Sequence, residues 1–155
     1  MSFANWHSRT DEPVIHVPAI GLELTVRLPP EASSDALTII ETVNAPGFGP
    51  PLHRHRETEI FRVLEGRYLY QRGEERFIAE EGDVVTVPGG TPHAFRNITD
   101  RPARQFILIM PAFDAVGFFT GLGDIMKGGR PDRATLNAFG ERWQVEFLGP
   151  PLPPP

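Results

Sequence analysis

Short apolar runs rich in β-branched residues recur along most of the chain. The stretches VIHV, LELTVRL and ALTIIETV follow one another between residues 14 and 43, and Pro, Gly or paired Ser residues separate them. Runs of this length, bounded by turn-forming residues, are typical of β-strands. The pattern therefore predicts three strands in this part of the chain.

A second group of strands is predicted between residues 58 and 110. TEIFRVLEG and RYLYQ meet at Glu65-Gly66, and Arg72-Gly73 turns the chain into ERFIAEEG, which is the pattern of a meander with glycine at each bend. DVVTVP, HAFRNI and RQFILIM add three further strands. About eight or nine strands at this close spacing predict an all-β barrel or sandwich.

The pattern changes to a helical one after residue 110. Phe113, Val116 and Phe119 or Phe118 fall at helical spacing, and the glycines from Gly121 onward are predicted to end this helix. A second short helix is predicted from Arg133 to Phe139.

The two ends of the chain are predicted to lie along the barrel. The closing VEFLGPPLPPP predicts a strand followed by an extended proline coil laid along the domain. The first thirteen residues are polar and irregular, and we interpret Trp6 as the anchor of an N-terminal arm on the core.

Composition supports a single β-rich domain. The chain has 155 residues, the length of one ordinary domain, and it contains 15 Gly and 17 Pro, which indicates many turns between short elements. We predict one domain over residues 1–155, with the barrel over 14–111 and a helical, Pro-rich segment over 112–155 packed on it. There is no cysteine, so a metal site can use only His and carboxylate ligands.

Charge and hydropathy exclude several classes of partner. The net charge is −5, and a single lysine, Lys127, stands beside scattered arginines without a basic block, so a nucleic-acid partner is not expected. The N-terminal residues lack the features of a secretory signal, and no apolar run has the length needed to span a bilayer. We therefore predict a cytoplasmic protein without a membrane segment.

The segment PLHRHRETE concentrates candidate metal ligands. His53 and His55 are two positions apart, which turns both imidazoles to the same side of an extended chain. Glu57 and Glu59 share this parity. Spacing alone therefore leaves open which of the two carboxylates faces the histidines.

Two stretches of the chain resemble the motifs of the cupin superfamily. GFGPPLHRHRETEIFRVLEG matches the pattern G-x5-H-x-H-x3-E-x6-G, and GDVVTVPGGTPHAFRN matches G-x5-P-x-G-x2-H-x3-N, each at every specified position. The resemblance implies a cupin fold, the double-stranded β-helix or jelly-roll barrel, with short C-terminal helices added here. It also implies that His53, His55, Glu59 and His93 hold one divalent transition metal ion (Fe, Mn, Ni, Co, Cu or Zn).

The resemblance also suggests a reaction. Short cupins of this type resemble quercetin dioxygenase-like proteins, which implies a metal-dependent dioxygenase of a small aromatic or oxygen-rich molecule, with Glu59 as ligand and proton acceptor. By alternation Phe61 and Phe95 face inward, and with Tyr68 they are candidate walls of the substrate pocket.

Other functions and assemblies stay open at this point. One alternative is a metal-dependent isomerase or lyase of a sugar or keto acid, for which Tyr68, Tyr70 or His16 is a candidate base; another is a binding module without catalysis. Resemblance to small cupins further implies a homodimer, and residues 1–30 are the candidate contact.

Overall fold

The computed structural model describes residues 2–155, which contain eleven strands and two α-helices. The first five strands are β1 Val14–Val17, β2 Leu22–Leu28, β3 Thr38–Asn44, β4 Pro51–Arg54 and β5 Thr58–Glu65. They are followed by β6 Tyr68–Arg72, β7 Glu75–Ala79, β8 Val84–Val87, β9 His93–Asn97 and β10 Ala103–Met110. The helices α1 Ala115–Ile125 and α2 Arg133–Gly140 come next, and β11 Glu146–Pro151 ends the chain's regular structure.

The strands form two antiparallel sheets. One sheet has the order β1-β2-β3-β10-β5-β8, and the other has the order β11-β4-β9-β6-β7. Strands that are distant in sequence, such as β3 and β10, lie side by side, as in a jelly roll. The predicted all-β jelly-roll fold is thus confirmed.

Strict alternation along β3 and β10 places every second side chain in the interior. Burial alternates along the whole of β3 and the whole of β10, as expected when one sheet face packs on a core. The register of β3, β10 and β5 stacks these inward residues in layers, and the central layer joins Ile40, Ile107 and Phe61. The side chains of these layers form the walls of the barrel's interior.

One strand was not predicted. The structure contains each strand predicted from the sequence, but β4 was interpreted only as extended chain around the two histidines. It is short, opens with Pro51, and pairs with β9 and β11. Its pairing partners are remote in sequence, so local pattern alone carries little signal for it.

The first helix fits the predicted spacing of Phe113, Val116 and Phe119 or Phe118 only in part. Val116 is 54% exposed, whereas Phe118 and Leu122 are buried. The helix begins after Asp114, whose carboxylate accepts a hydrogen bond from the backbone N–H of Gly117 at 3.0 Å. This N-cap leaves the aromatic residue before it outside the helix and rotates the buried face.

The predicted end of that helix was wrong. Helix α1 continues through Gly121 to Ile125. A Cβ atom on Gly121 would lie 2.7 Å from the ring of Phe139, which shows that the missing side chain is what lets α2 pack closely on α1. The second helix was predicted within one residue of its observed end at Gly140.

The C-terminal elements close one end of the barrel. The side chain of Asn137 in α2 accepts from the backbone N–H of Phe147 at 2.6 Å and donates to its carbonyl at 3.1 Å. These two bonds fix β11 beside the helix. None of the helices in residues 2–155 is long and apolar enough to cross a bilayer.

The N-terminal arm lies on the surface of the barrel. The indole N–H of Trp6 donates to the carbonyl of Arg27 at 2.8 Å, and the ring itself is half exposed. The backbone N–H of Ala4 bonds the carbonyl of Ala32 at 2.8 Å. A homodimer through residues 1–30 stays a prediction.

A glycine turn between β8 and β9 presses against the segment that carries the candidate ligands. The backbone N–H of Gly90 donates to the carbonyl of His55 at 2.7 Å, and the N–H of Gly89 donates to the hydroxyl of Thr58 at 3.0 Å. A Cβ on Gly89 would lie 2.0 Å from the carbonyl oxygen of Arg56. Only glycine fits this contact.

Replacing Gly89 should therefore destabilise the protein. We expect Gly89→Ala to lower the free energy of unfolding by about 2 kcal/mol, as overpacking does in cores. Gly128→Ala is the matched control, because nothing lies within 4 Å of the added Cβ there. Urea unfolding followed by circular dichroism measures both, and equal stability of the two variants would contradict the contact.

Candidate metal centre

Three histidines converge at one end of the barrel. His53 lies in β4, His93 opens β9, and the two face each other across the strand pair. His55 follows two residues after His53, so its side chain lies on the same side of the extended chain. One ring nitrogen from each of the three lies within 4.8 Å of the others, a grouping that could hold a metal ion.

Each imidazole is oriented by its other nitrogen. Nδ1 of His53, His55 and His93 contacts a backbone carbonyl, at distances of 2.7 Å to Pro51, 3.1 Å to Glu57 and 2.9 Å to Thr91, respectively. A carbonyl can only accept, so in the neutral form of each ring Nδ1 carries the proton and Nε2 has the lone pair. This is the arrangement in which a backbone carbonyl orients a metal-binding imidazole.

A carboxylate oxygen completes the cluster. Oε2 of Glu59 lies 2.8 Å from Nε2 of His93 and 3.3 Å from Nε2 of His55. A carboxylate oxygen and nitrogen lone pairs repel one another unless a positive charge lies between them. That charge can be a second proton on an imidazole or a divalent cation, and the donor set of imidazole and carboxylate suits a transition metal ion.

The metal-free cluster divides its protons unevenly. Burial, together with the neighbouring His93 and His55, lowers the pKa of His53 to about 3. Burial opposes protonation of His55 too, but the carboxylate of Glu59 outweighs it and raises the pKa of His55. Although burial would raise the pKa of Glu59, the charge of His55 and hydrogen bonds from His55 and His93 hold it well below the usual value.

The structure separates the two candidate carboxylates. Glu57 is 3% exposed, but its carboxylate lies on the far side of His55, with Oε1 at 3.5 Å from Nδ1. Among residues 2–155 this oxygen has no hydrogen-bond partner. Glu59, rather than Glu57, lies with the inward-facing imidazole nitrogens, and Glu57 can act only on the outer side of the ring of His55.

Two small cavities adjoin the histidine cluster. The larger, of about 80 Å³, is lined almost entirely by apolar side chains, apart from His53, Glu59, Thr42 and Asn44. The smaller, of about 50 Å³, is lined by His53, His55 and Glu59 together with apolar side chains. Both cavities are therefore open to the proposed ligands.

The predicted pocket residues fall in different places. Phe61 and Phe95 line the larger cavity. Tyr68 lines neither cavity next to the cluster; it is fully buried, and its hydroxyl donates to Oδ1 of Asn44 at 2.8 Å. The expectation that Tyr68 forms a pocket wall was therefore wrong, because alternation gives the facing of a strand residue but not whether a neighbour covers it.

Sequence reasoning missed the walls that the C-terminal segment supplies. Phe118, Phe119 and Leu122 of α1 and Phe147 of β11 line the larger cavity. The sequence predicted that this segment packs on the barrel, but it did not indicate that Phe118, Phe119 and Phe147 line a cavity beside the histidines.

Comparisons with known proteins agree with this architecture. The cupin domain model matches residues 40–109, which contain all four candidate ligands. Residues 40–109 are therefore a cupin domain. An RmlC-like cupin from Shewanella frigidimarina has a similar structure, with a TM-score of 0.64 and 16% identity over 75% of this chain and 99% of that one.

Two curated proteins are similar to the cupin core in sequence. Quercetin 2,3-dioxygenase from Bacillus subtilis is 33% identical over 46% of this chain and 22% of its own length. The uncharacterized protein MJ1618 from Methanocaldococcus jannaschii is 31% identical over 49% of this chain and 62% of its own. The chain thus spans less than two thirds of the length of either relative.

The proton distribution predicts how the stability of the metal-free cupin depends on pH. An unfolded histidine takes up a proton near pH 6.5, whereas folded His53 stays neutral until about pH 3. The unfolded state thus binds more protons in this window, and stability should fall by about 1.4 kcal/mol per pH unit as the pH drops from 6 to 5. His55, with its raised pKa, is protonated in both states there, and Glu59 is ionised in both.

Urea unfolding of chelator-treated protein at pH 5 to 7 measures this slope. We expect the variant His53→Gln to lose this pH dependence between pH 6 and 5, because glutamine does not bind a proton in either the folded or the unfolded state. Wild type and variant with the same slope would contradict the assignment of the neutral imidazole to His53.

Metal affinity should depend on Glu59 far more than on Glu57. We expect Glu59→Gln to weaken Zn²⁺ binding by roughly 100-fold, and Glu57→Gln, which alters only the outer side of His55, by roughly tenfold or less. The two substitutions are chemically identical and two positions apart. Competition with a chromogenic chelator measures both affinities; the reverse order would make Glu57 the ligand.

Proposed function

We propose that this cupin is a metal-dependent oxygenase of a small aromatic or oxygen-rich molecule. The observation that carries the proposal is the apolar, phenylalanine-lined cavity that opens directly on His53 and Glu59. Active-site cavities of this kind combine apolar walls with a few polar groups that fix orientation. Similarity of the barrel to quercetin 2,3-dioxygenase supports the same reaction class.

His53, His55, His93 and Glu59 are the proposed metal ligands, with Nε2 and a carboxylate oxygen as donors. A divalent transition ion with this ligand set supplies Lewis-acid and redox chemistry and has coordination positions to spare. The backbone carbonyls at Nδ1 keep the three rings in the orientation that binding requires. The protein thus supplies four donor atoms whose orientation is fixed before an ion binds.

Glu59 is the proposed proton acceptor. Its carboxylate lines both cavities, and its lowered pKa keeps it ionised at neutral pH. A substrate hydroxyl that enters beside the cluster comes within reach of a carboxylate oxygen that is already desolvated. Loss of that proton makes the substrate oxygen a better metal ligand and a more electron-rich reactant.

The cavity walls favour a small, neutral and flat molecule. Among the described residues, no Arg or Lys lines either cavity, so nothing there selects for an acidic substrate. At about 80 Å³ the larger cavity is about half the size of a cavity that binds benzene. A substrate of one ring therefore fits with modest adjustment of Phe118 and Phe119, whereas a flavonol requires displacement of α1.

The isomerase or lyase alternative needs a base besides Glu59, and none of its three candidates lies at the cluster. His16 is exposed on the barrel's outer surface beside Glu23, at 3.6 Å. Burial raises the pKa of Tyr68 and of Tyr70 well above the usual value, and both hydroxyls are hydrogen-bonded inside the core. These three residues therefore give this alternative no support.

Oxygen consumption tests the proposal. Protein loaded separately with Fe²⁺, Mn²⁺ and Ni²⁺ should consume oxygen with catechols or small diketones, and more slowly with flavonols, because α1 covers the larger cavity. His93→Ala in the same buffers is the control for free metal. No oxygen uptake by any metal form above that control would refute the oxygenase; turnover under strict anaerobiosis would favour an isomerase or lyase.

A further inference from the structure

The larger cavity has a second polar end, away from the metal cluster. Thr42 and Asn44 of β3 line it at this end. Along β10, Ile109 pairs with Glu59, whereas Gln105 pairs with Thr42. The two polar ends are thus four strand positions apart, roughly 13 Å of extended chain.

An apolar layer separates the two ends. Ile107 lies midway between them on β10, and it pairs with Phe61 on one side and Ile40 on the other. All three side chains are buried and line the cavity. A molecule that extends from the metal cluster toward β3 therefore passes an apolar wall and then meets polar groups again.

Two polar groups near this end have no hydrogen-bond partner within residues 2–155, and of the two only Thr42 lines the cavity. The hydroxyl of Thr42 makes no hydrogen bond, although the residue is only 3% exposed. Nε2 of Gln105, directly opposite on β10, makes none either. The hydroxyl of Tyr70 donates to Oε1 of Gln105, which leaves the amide N–H₂ as the free part of that side chain.

Asn44 differs, because its Oδ1 accepts from Tyr68 and none of its side-chain atoms is among the buried groups without a partner. Buried donors without partners are costly, and native proteins retain few of them. The hydroxyl of Thr42, at the end of a cavity that starts at the metal cluster, therefore indicates a ligand atom that accepts a hydrogen bond there. A carbonyl or hydroxyl oxygen can accept it. Gln105 lies opposite Thr42 on β10 but does not line the cavity.

We propose that Thr42 is a specificity-determining residue whose hydroxyl hydrogen-bonds an oxygen at the end of the substrate remote from the metal. The substrate class is then a small molecule with an aromatic body, oxygen donors for the metal at one end and a carbonyl or hydroxyl group at the other. This inference rests on the proposed function for the position of the metal-binding end.

Binding of two matched probes tests the inference without turnover. Under argon, calorimetry with the Zn²⁺-loaded protein compares 3,4-dihydroxybenzaldehyde with 4-methylcatechol, which differ only in the group remote from the chelating oxygens. We expect wild type to prefer the aldehyde by about tenfold, the effect of a hydrogen bond to an otherwise unpartnered group.

Thr42→Val should reduce this preference to about twofold or less, while the affinity for 4-methylcatechol stays unchanged; Thr42→Ser should retain it. Ile40→Val is the control from the apolar layer, and it should change the affinities for both probes alike. The melting temperature of Thr42→Val should not fall, because the substitution removes a polar group that has no partner. A purely structural role for the hydroxyl would lower it.

The two proposals fail in different ways. An unchanged preference in Thr42→Val, no preference in wild type, or no binding of either probe overturns the inference about Thr42. Binding that depends on Thr42 in a protein that consumes no oxygen with any metal refutes the oxygenase and supports the inference.

Discussion

The hydrogen bonds between three imidazole Nδ1 atoms and backbone carbonyls are the interaction on which the site depends. They remove the tautomeric freedom of His53, His55 and His93 and leave a lone pair on each Nε2. Three lone pairs and the carboxylate of Glu59, removed from water, are stable together only around shared positive charge. The same four groups therefore explain the shifted pKa values of the metal-free cluster and its fitness for a divalent ion.

The barrel makes this convergence possible because it joins segments that are distant in sequence. His53 and His93 face each other across the β4–β9 pair, and Glu59 enters from the opposite sheet through β5. The glycine turn at residues 88–90 holds the segment from His55 to Thr58 through hydrogen bonds that the backbone N–H groups of Gly89 and Gly90 donate. Inward layers on β3, β10 and β5 then extend the site into an apolar cavity with a polar far end.

Much of this could be predicted from the sequence. Short β-branched runs between turn residues predicted the strands, and the resemblance of two motifs to those of the cupins implied His53, His55, Glu59 and His93 as ligands. Spacing alone could not separate Glu57 from Glu59, because both share the parity of the histidines. The separation comes from the bend after β4, which turns Glu57 to the outer side of His55.

The remaining features depend on tertiary packing. Tyr68 faces inward as alternation predicts, yet Asn44 takes its hydroxyl and neighbouring side chains separate it from the cavity. Helix α1 runs through Gly121 because Phe139 occupies the space of the missing side chain. Neither contact leaves a local signal, and the unpartnered hydroxyl of Thr42 becomes visible only when β3 and β10 are paired.

The most direct measurement is anomalous diffraction at the absorption edge of zinc from crystals of the Zn²⁺-loaded protein. The account predicts one anomalous peak per chain, with Nε2 of His53, His55 and His93 at about 2.0–2.1 Å and a carboxylate oxygen of Glu59 at a similar distance. A peak located elsewhere in the chain, coordination through Nδ1, or no ordered ion between these four side chains would contradict it.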